Sequence, residues 1–164
     1  EEKRMIKMAI SVCIDAPLEA TWAVLSDLER IPLWVPAIRR AHCPATNRGE
    51  GAVRVCELNG AKIRETFFAW SEGSSFSYRG EGAPMMKSAV NTWSVERHGK
   101  QCLVTSQAEA ELKGGAIGRL LEPLARRVFR RMGARSLATL KYLVEHGTPY
   151  QGNVRELGPA PAGC

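Results

Sequence analysis

Between Gly114-Gly115 and Gly147 the chain carries about thirty residues whose apolar positions recur at helical spacing, and this run decides what the rest can fold into. At 100° per residue, Ile117, Leu120, Leu121, Leu124, Val128, Met132 and Leu143 fall within one arc, which predicts an amphipathic helix over residues 116–146. The glycine pair marks its start, and Gly147 with Pro149 marks its end. Such a helix spans roughly 45 Å and needs a large apolar surface to lie on. Its other face carries Arg119, Arg126, Arg127, Arg130, Arg131 and Lys141 against Glu122 and Glu145, so most of the formal charge of +6 sits here. A basic face of this kind either stays solvated or docks an acidic partner: a carrier protein, an anionic membrane or a nucleic acid. Nucleic acid fits worst, because only Phe129 interleaves with the arginines and no reading motif accompanies them.

The partner surface is legible upstream. Ile6, Met8, Ile10, Val12 and Ile14 alternate with Lys7, Ala9, Ser11, Cys13 and Asp15, the period of a half-buried strand. Pro17 stops it and opens a helix over 17–26, with Leu18, Trp22 and Leu25 inward; a second short helical segment follows over 28–34 and ends before Pro36. The period then returns to two, with strands expected at 38–43, 52–58, 61–70, 75–79, 88–97 and 101–112. Short, turn-rich links between them imply an antiparallel sheet. Asn59-Gly60 fixes one hairpin register: Leu58 opposite Ala61, Cys56 opposite Ile63, Arg54 opposite Glu65, and Ala52 opposite Phe67, all on one face. If that face points inward, an ion pair lies among apolar neighbours and is costly to desolvate. Phe76 and Tyr78, then Asn91, Trp93 and Val95, then Val104, Ser106, Ala108 and Ala110 continue the same face. So many small residues on a curved sheet leave a hollow under the helix, a candidate ligand cavity.

The order is one strand, two small helices, six antiparallel strands and a long helix, with Ala16-Pro17-Leu18-Glu19, Trp34-Val35-Pro36, Gly51-Ala52-Val53-Arg54, Trp70, Tyr78 and Trp93 in place. This resembles the START-like (SRPBCC) superfamily in its polyketide cyclase/dehydrase and lipid-transport branch. The resemblance implies an α+β helix-grip domain over 5–147: a curved seven-stranded antiparallel sheet wrapped around the C-terminal helix. Outside it, the Gly, Pro and polar residues of 148–164 show no periodicity and read as a mobile tail. The resemblance also implies a hydrophobic ligand, either a polyketide cyclised or dehydrated in the cavity, or a lipid or quinone that is only carried. A third expectation is an interaction module that docks an acidic acyl carrier protein through the arginine-rich helix.

For an enzyme, Glu65 is the candidate base, Arg54 holds a carbonyl or enolate oxygen, and Tyr78 donates a proton. Ligand-lining candidates are Trp34, Phe67, Phe76, Asn91, Trp93, Ser106, Ala108, Leu124 and Val128, with the loop at 82–86 beside the entrance. Each has a structural alternative: Arg54 and Glu65 as a cross-strand pair, Tyr78 and the tryptophans as core aromatics. The five cysteines are odd in number and lack any C-x-x-C spacing, so neither a disulfide framework nor a zinc site is expected; Cys164 reads as an exposed thiol. His42, His98 and His146 are far apart, and no metal or cofactor is expected. No apolar run is long enough for a membrane span, and the expected location is cytoplasmic.

Overall fold

The computed structural model describes residues 5–158 and 160–164. Seven strands form one antiparallel sheet: β1 (Ile6–Ile14), β2 (Arg40–His42), β3 (Val53–Leu58), β4 (Ala61–Ser71), β5 (Ser75–Glu81), β6 (Met86–His98) and β7 (Gln101–Leu112), in the spatial order β1-β7-β6-β5-β4-β3-β2. Helix α1 (Leu18–Ser26) and a 3-10 turn (Leu28–Leu33) link β1 to β2, and α2 (Gly115–His146) follows β7. This is the helix-grip arrangement. Strand β2 is shorter than expected, while β5 and β6 each run two residues further into the loop between them.

The hairpin register set by Asn59-Gly60 holds throughout, with Leu58 paired to Ala61 and Arg54 to Glu65. Strand β4 carries a bulge after Phe68, where Ala69 takes a left-handed backbone at φ 51°. The Glu50 carboxylate accepts hydrogen bonds from the backbone N–H groups of Ala69 at 3.3 Å and Trp70 at 2.8 Å, satisfying donors that the bulge takes out of the ladder. Extra twist at that point turns Trp70 onto Phe76, with stacked rings 5.1 Å apart.

The sheet and α2 enclose two different interiors. At one end Val12, Ile14, Phe76, Val95 and Val104 meet Leu137, Leu140 and Leu143 of α2 and fill the space. Leu140 is fully buried, so Leu140→Ala should cost about 2–5 kcal/mol. At the other end the inward positions are Gly80, Ala89, Ser106, Ala108 and Ala110, too small to reach α2, and the space stays open.

Three expectations are corrected here. First, the bulky apolar stripe of α2 does not face the sheet: Ile117, Leu120, Leu124 and Val128 are exposed, and before Ser136 the helix buries only Gly118. The face that meets the sheet carries small residues instead. A Cβ on Gly133 would come within 2.7 Å of Ile10 Cδ1, and one on Gly118 within 2.4 Å of the Lys113 carbonyl oxygen. Close approach to β1 at Gly133 therefore selects the small-residue face, about 160° around the helix from the centre of the bulky stripe. Second, Cys13 and Cys164 form a disulfide across 151 residues, leaving Cys43, Cys56 and Cys102 free. Third, the segment after α2 is not loose: Cys13 N–H donates to the Pro161 carbonyl at 2.9 Å and Ala160 packs on the core. Disulfides persist in oxidising compartments, so this bond gives no support to the expected cytoplasmic location. Among the described residues no helix is long and apolar enough to cross a membrane.

Candidate functional site

The open end of the grip is a cavity of about 270 Å³. Its walls are apolar: Met8 and Ile10 from β1, Ile38 after the 3-10 turn, Ile63 from β4, and Phe129 and Met132 from α2. Its polar lining includes Glu65, Tyr78, Asn91 and Ser106 from neighbouring strands, with Glu109 of β7 and Ser136 of α2 besides.

Alternation and register place the first four. Tyr78 pairs with Asn91, and Ser106 stands opposite Trp93, one inward position along from Asn91. Their hydrogen bonds run in one direction. Ser106 Oγ donates to Asn91 Oδ1 at 3.0 Å, and Asn91 Nδ2 donates to the Tyr78 hydroxyl oxygen at 3.1 Å. Among the described residues no hydrogen bond uses the hydroxyl's own hydrogen, so Tyr78 has it left to give. Burial, reinforced by the nearby negative charge of Glu65, pushes the Tyr78 hydroxyl up to about 12, so it stays protonated and acts as a donor at neutral pH.

Glu65 stands opposite Gly80, which leaves its carboxylate room. Arg54 Nε donates to Glu65 Oε2 at 2.6 Å and Cys56 Sγ donates to the same oxygen at 3.4 Å; among the described residues no hydrogen bond engages Oε1. Arg54 lies behind Glu65, where Nη1 donates to the Leu28 carbonyl at 3.2 Å and the guanidinium sits over the rings of Phe67 and Tyr78 at 5.0 and 5.4 Å. Burial is the largest single influence and would lower the arginine pKa, but the charge and hydrogen bond of Glu65 together with Cys56 and Tyr78 outweigh it and hold Arg54 above its ordinary value. The Cys56 thiol is pushed up to about 12, mainly by burial, and is inert as a nucleophile.

Of the residues singled out by sequence, Glu65, Tyr78, Asn91, Trp93, Ser106 and Ala108 come together on the cavity wall. Arg54 does not reach it. Phe67 and Phe76 belong to the aromatic core with Trp22 and Trp70, and Trp34 packs edge-on against Trp93 from outside the wall. Leu124 and Val128 are corrected: both face solvent on α2 and neither lines the cavity. Residues missed were Ile63, Phe129, Gly133 and Ser136. The hairpin register already put Ile63 on the Glu65 face, and the small residues of α2 were the signal for the rest. The loop at 82–86 contributes Ala83 and Met86 to the lining. Among the described residues no group of three or more His, Cys, Asp or Glu lies together.

Comparison with known proteins gives the lineage. Residues 5–145 match the family described as polyketide cyclase / dehydrase and lipid transport. No curated protein matches the sequence. Similar solved structures include the Zhui aromatase/cyclase from Streptomyces sp. R1128 (13% identity, TM-score 0.72, covering 87% of this chain and 94% of that one). A START superfamily protein from Mycobacterium smegmatis is 17% identical with a TM-score of 0.68, covering 88% and 99%. Norcoclaurine synthase from Thalictrum flavum, solved with dopamine and hydroxybenzaldehyde, is 17% identical with a TM-score of 0.64, covering 87% and 88%. At these identities the likeness is one of fold. With the family match over nearly all of the domain, the chain belongs to the polyketide cyclase/dehydrase and lipid-transport family.

Proposed function

We propose that this protein binds a small, largely apolar, carbonyl-bearing molecule of polyketide type in the cavity and promotes its cyclisation or dehydration. The observation that carries this reading is the pairing, on one largely apolar wall, of a carboxylate oxygen and a tyrosine hydroxyl hydrogen that no hydrogen bond engages among the described residues. A volume of about 270 Å³ equals roughly nine waters at ~30 Å³ each, enough to enclose one ring or a short chain, but not a two-tailed lipid. A longer molecule would extend past Met132 toward the surface.

In this reading Glu65 Oε1 removes a proton from a methylene flanked by two carbonyls. The C–H electrons move onto the adjacent oxygen, where the Tyr78 hydroxyl hydrogen-bonds the enolate. The enolate carbon then bonds to a second carbonyl carbon of the same molecule. The proton held by Glu65 passes to the resulting alkoxide, and loss of water completes a dehydration. Arg54 positions Glu65 by holding Oε2 and does not touch the substrate.

A non-catalytic carrier is the second reading. It is favoured by the ion pair, because Oε2 is fully engaged and only one oxygen is left for chemistry. Calorimetry with a small aryl 1,3-diketone, followed by product analysis, separates the two. Tyr78→Phe, which removes one hydrogen bond, should weaken binding by about tenfold. Conversion of the diketone that Tyr78→Phe slows supports the enzyme; binding without conversion supports the carrier. Binding unaffected by Tyr78→Phe would contradict both.

A further inference from the structure

The first two-thirds of α2 hold a feature the cavity does not use. Ile117, Leu120 and Leu124 are 67%, 80% and 61% exposed, and Val128 and Met132 continue the line. On the helical wheel these positions, with Leu121, span about 120°. Arg127 borders the edge away from the sheet, Arg131 projects within the stripe, and Arg130 lies about 80° beyond that edge. No ion pair engages these three arginines among the described residues. Clustered exposed aliphatic side chains of this extent mark an interaction site on a protein that otherwise buries its core.

We propose that this half of α2 docks on an anionic membrane surface, lying in the interface with its aliphatic ridge among the acyl chains and its arginines at the headgroups. Charge and shape select this occupant. A second copy laid ridge to ridge would bury Arg131, which projects within the stripe, at an apolar seam with no carboxylate of the ridge to pair it. A protein partner would have to offer a groove deep enough for a convex row ending in Leu120. A bilayer with acidic headgroups accepts a convex apolar row and neutralises the flanking arginines together. The ridge ends at Met132, which also lines the cavity, so the docked face adjoins the route to the ligand site. Docking does not depend on the reaction proposed for the cavity and is tested without it.

The experiment is cosedimentation of the full chain with vesicles of phosphatidylcholine alone or mixed with phosphatidylglycerol, at low and high salt. Binding should require phosphatidylglycerol and weaken with salt. Arg127→Glu/Arg130→Glu/Arg131→Glu should weaken it about a hundredfold or more. Ile117→Ser/Leu120→Ser should abolish pelleting even at low salt, while thermal melting stays near that of the unchanged protein because both side chains are exposed. Failure to pellet with anionic vesicles overturns the proposal, as does binding indifferent to Ile117→Ser/Leu120→Ser. So does a dimer on gel filtration that those substitutions dissolve, or capture of an acidic carrier protein, when either occurs without vesicle binding.

Discussion

Replacing Glu65 by leucine would strand a positive charge in the core. Arg54 is 2% exposed and Glu65 is 7% exposed, and the 2.6 Å contact between them is the arginine's one bond to a carboxylate among the described residues. After Glu65→Leu the guanidinium keeps the Leu28 carbonyl and two ring faces, none of which carries a full negative charge. Breaking a buried pair from one side costs about 3–5 kcal/mol. For a domain of this size each kcal/mol moves the melting temperature by about 2–4 °C, so a fall of roughly 6–20 °C follows. Arg54→Met should lose a comparable amount, since it leaves Glu65 with only Cys56 on Oε2. Arg54→Met/Glu65→Leu removes both charges and should return to within about 2 kcal/mol of the parent. Urea unfolding followed by the fluorescence of the buried Trp22, Trp34 and Trp93 reads all four corners of this cycle. Single losses below about 1 kcal/mol, or losses that simply add in the double variant, would refute the picture of a desolvated, mutually dependent pair.

Other outcomes follow from the same structure. Ala108→Phe fills the open end, so it should abolish ligand binding by calorimetry while costing about 1–3 kcal/mol of stability through overpacking. The Glu72 carboxylate accepts from the indoles of Trp22 at 2.8 Å and Trp70 at 2.9 Å and pairs with Arg48; these bonds, Arg48's first, hold it down to about 2. A depressed carboxylate pKa gives stability that is present above the unfolded value and lost as pH falls toward the folded one. Glu72→Gln should therefore flatten the acid side of the stability profile between about pH 4.5 and 2, and an unchanged profile counts against the anchor. Reducing Cys13–Cys164, or Cys164→Ser, opens a loop of 151 residues and should cost about 2–5 kcal/mol in urea midpoint measurements under matched conditions.

Local rules made the sheet readable. Strict alternation places β1, and a two-residue turn at Asn59-Gly60 carries the register out to Arg54 and Glu65, so the inward face of that hairpin is legible in the sequence. What stayed hidden depends on distances that sequence does not encode. The helix stripe was read by its bulky residues, whereas Gly118 and Gly133, the positions without side chains, decide how close α2 lies. That choice turned Leu124 and Val128 outward and brought Phe129 and Ser136 in. Cys13 and Cys164 are as far apart in sequence as the chain nearly allows, and spacing gives no hint that they meet. Glu50 reads as one of several turn acids until the bulge at Ala69 presents it with two backbone donors.

The open end of the grip is tested most directly by titrating the protein with a small aryl 1,3-diketone and following methyl resonances by NMR. Shifts should concentrate at Ile63, Ala89, Ala108 and Ala110, with Val12 and Leu143 in the filled half unmoved. Silence at those four methyls, or shifts clustered instead at Ala138 and Ala160 beneath the C-terminal segment, would contradict a ligand site between sheet and helix.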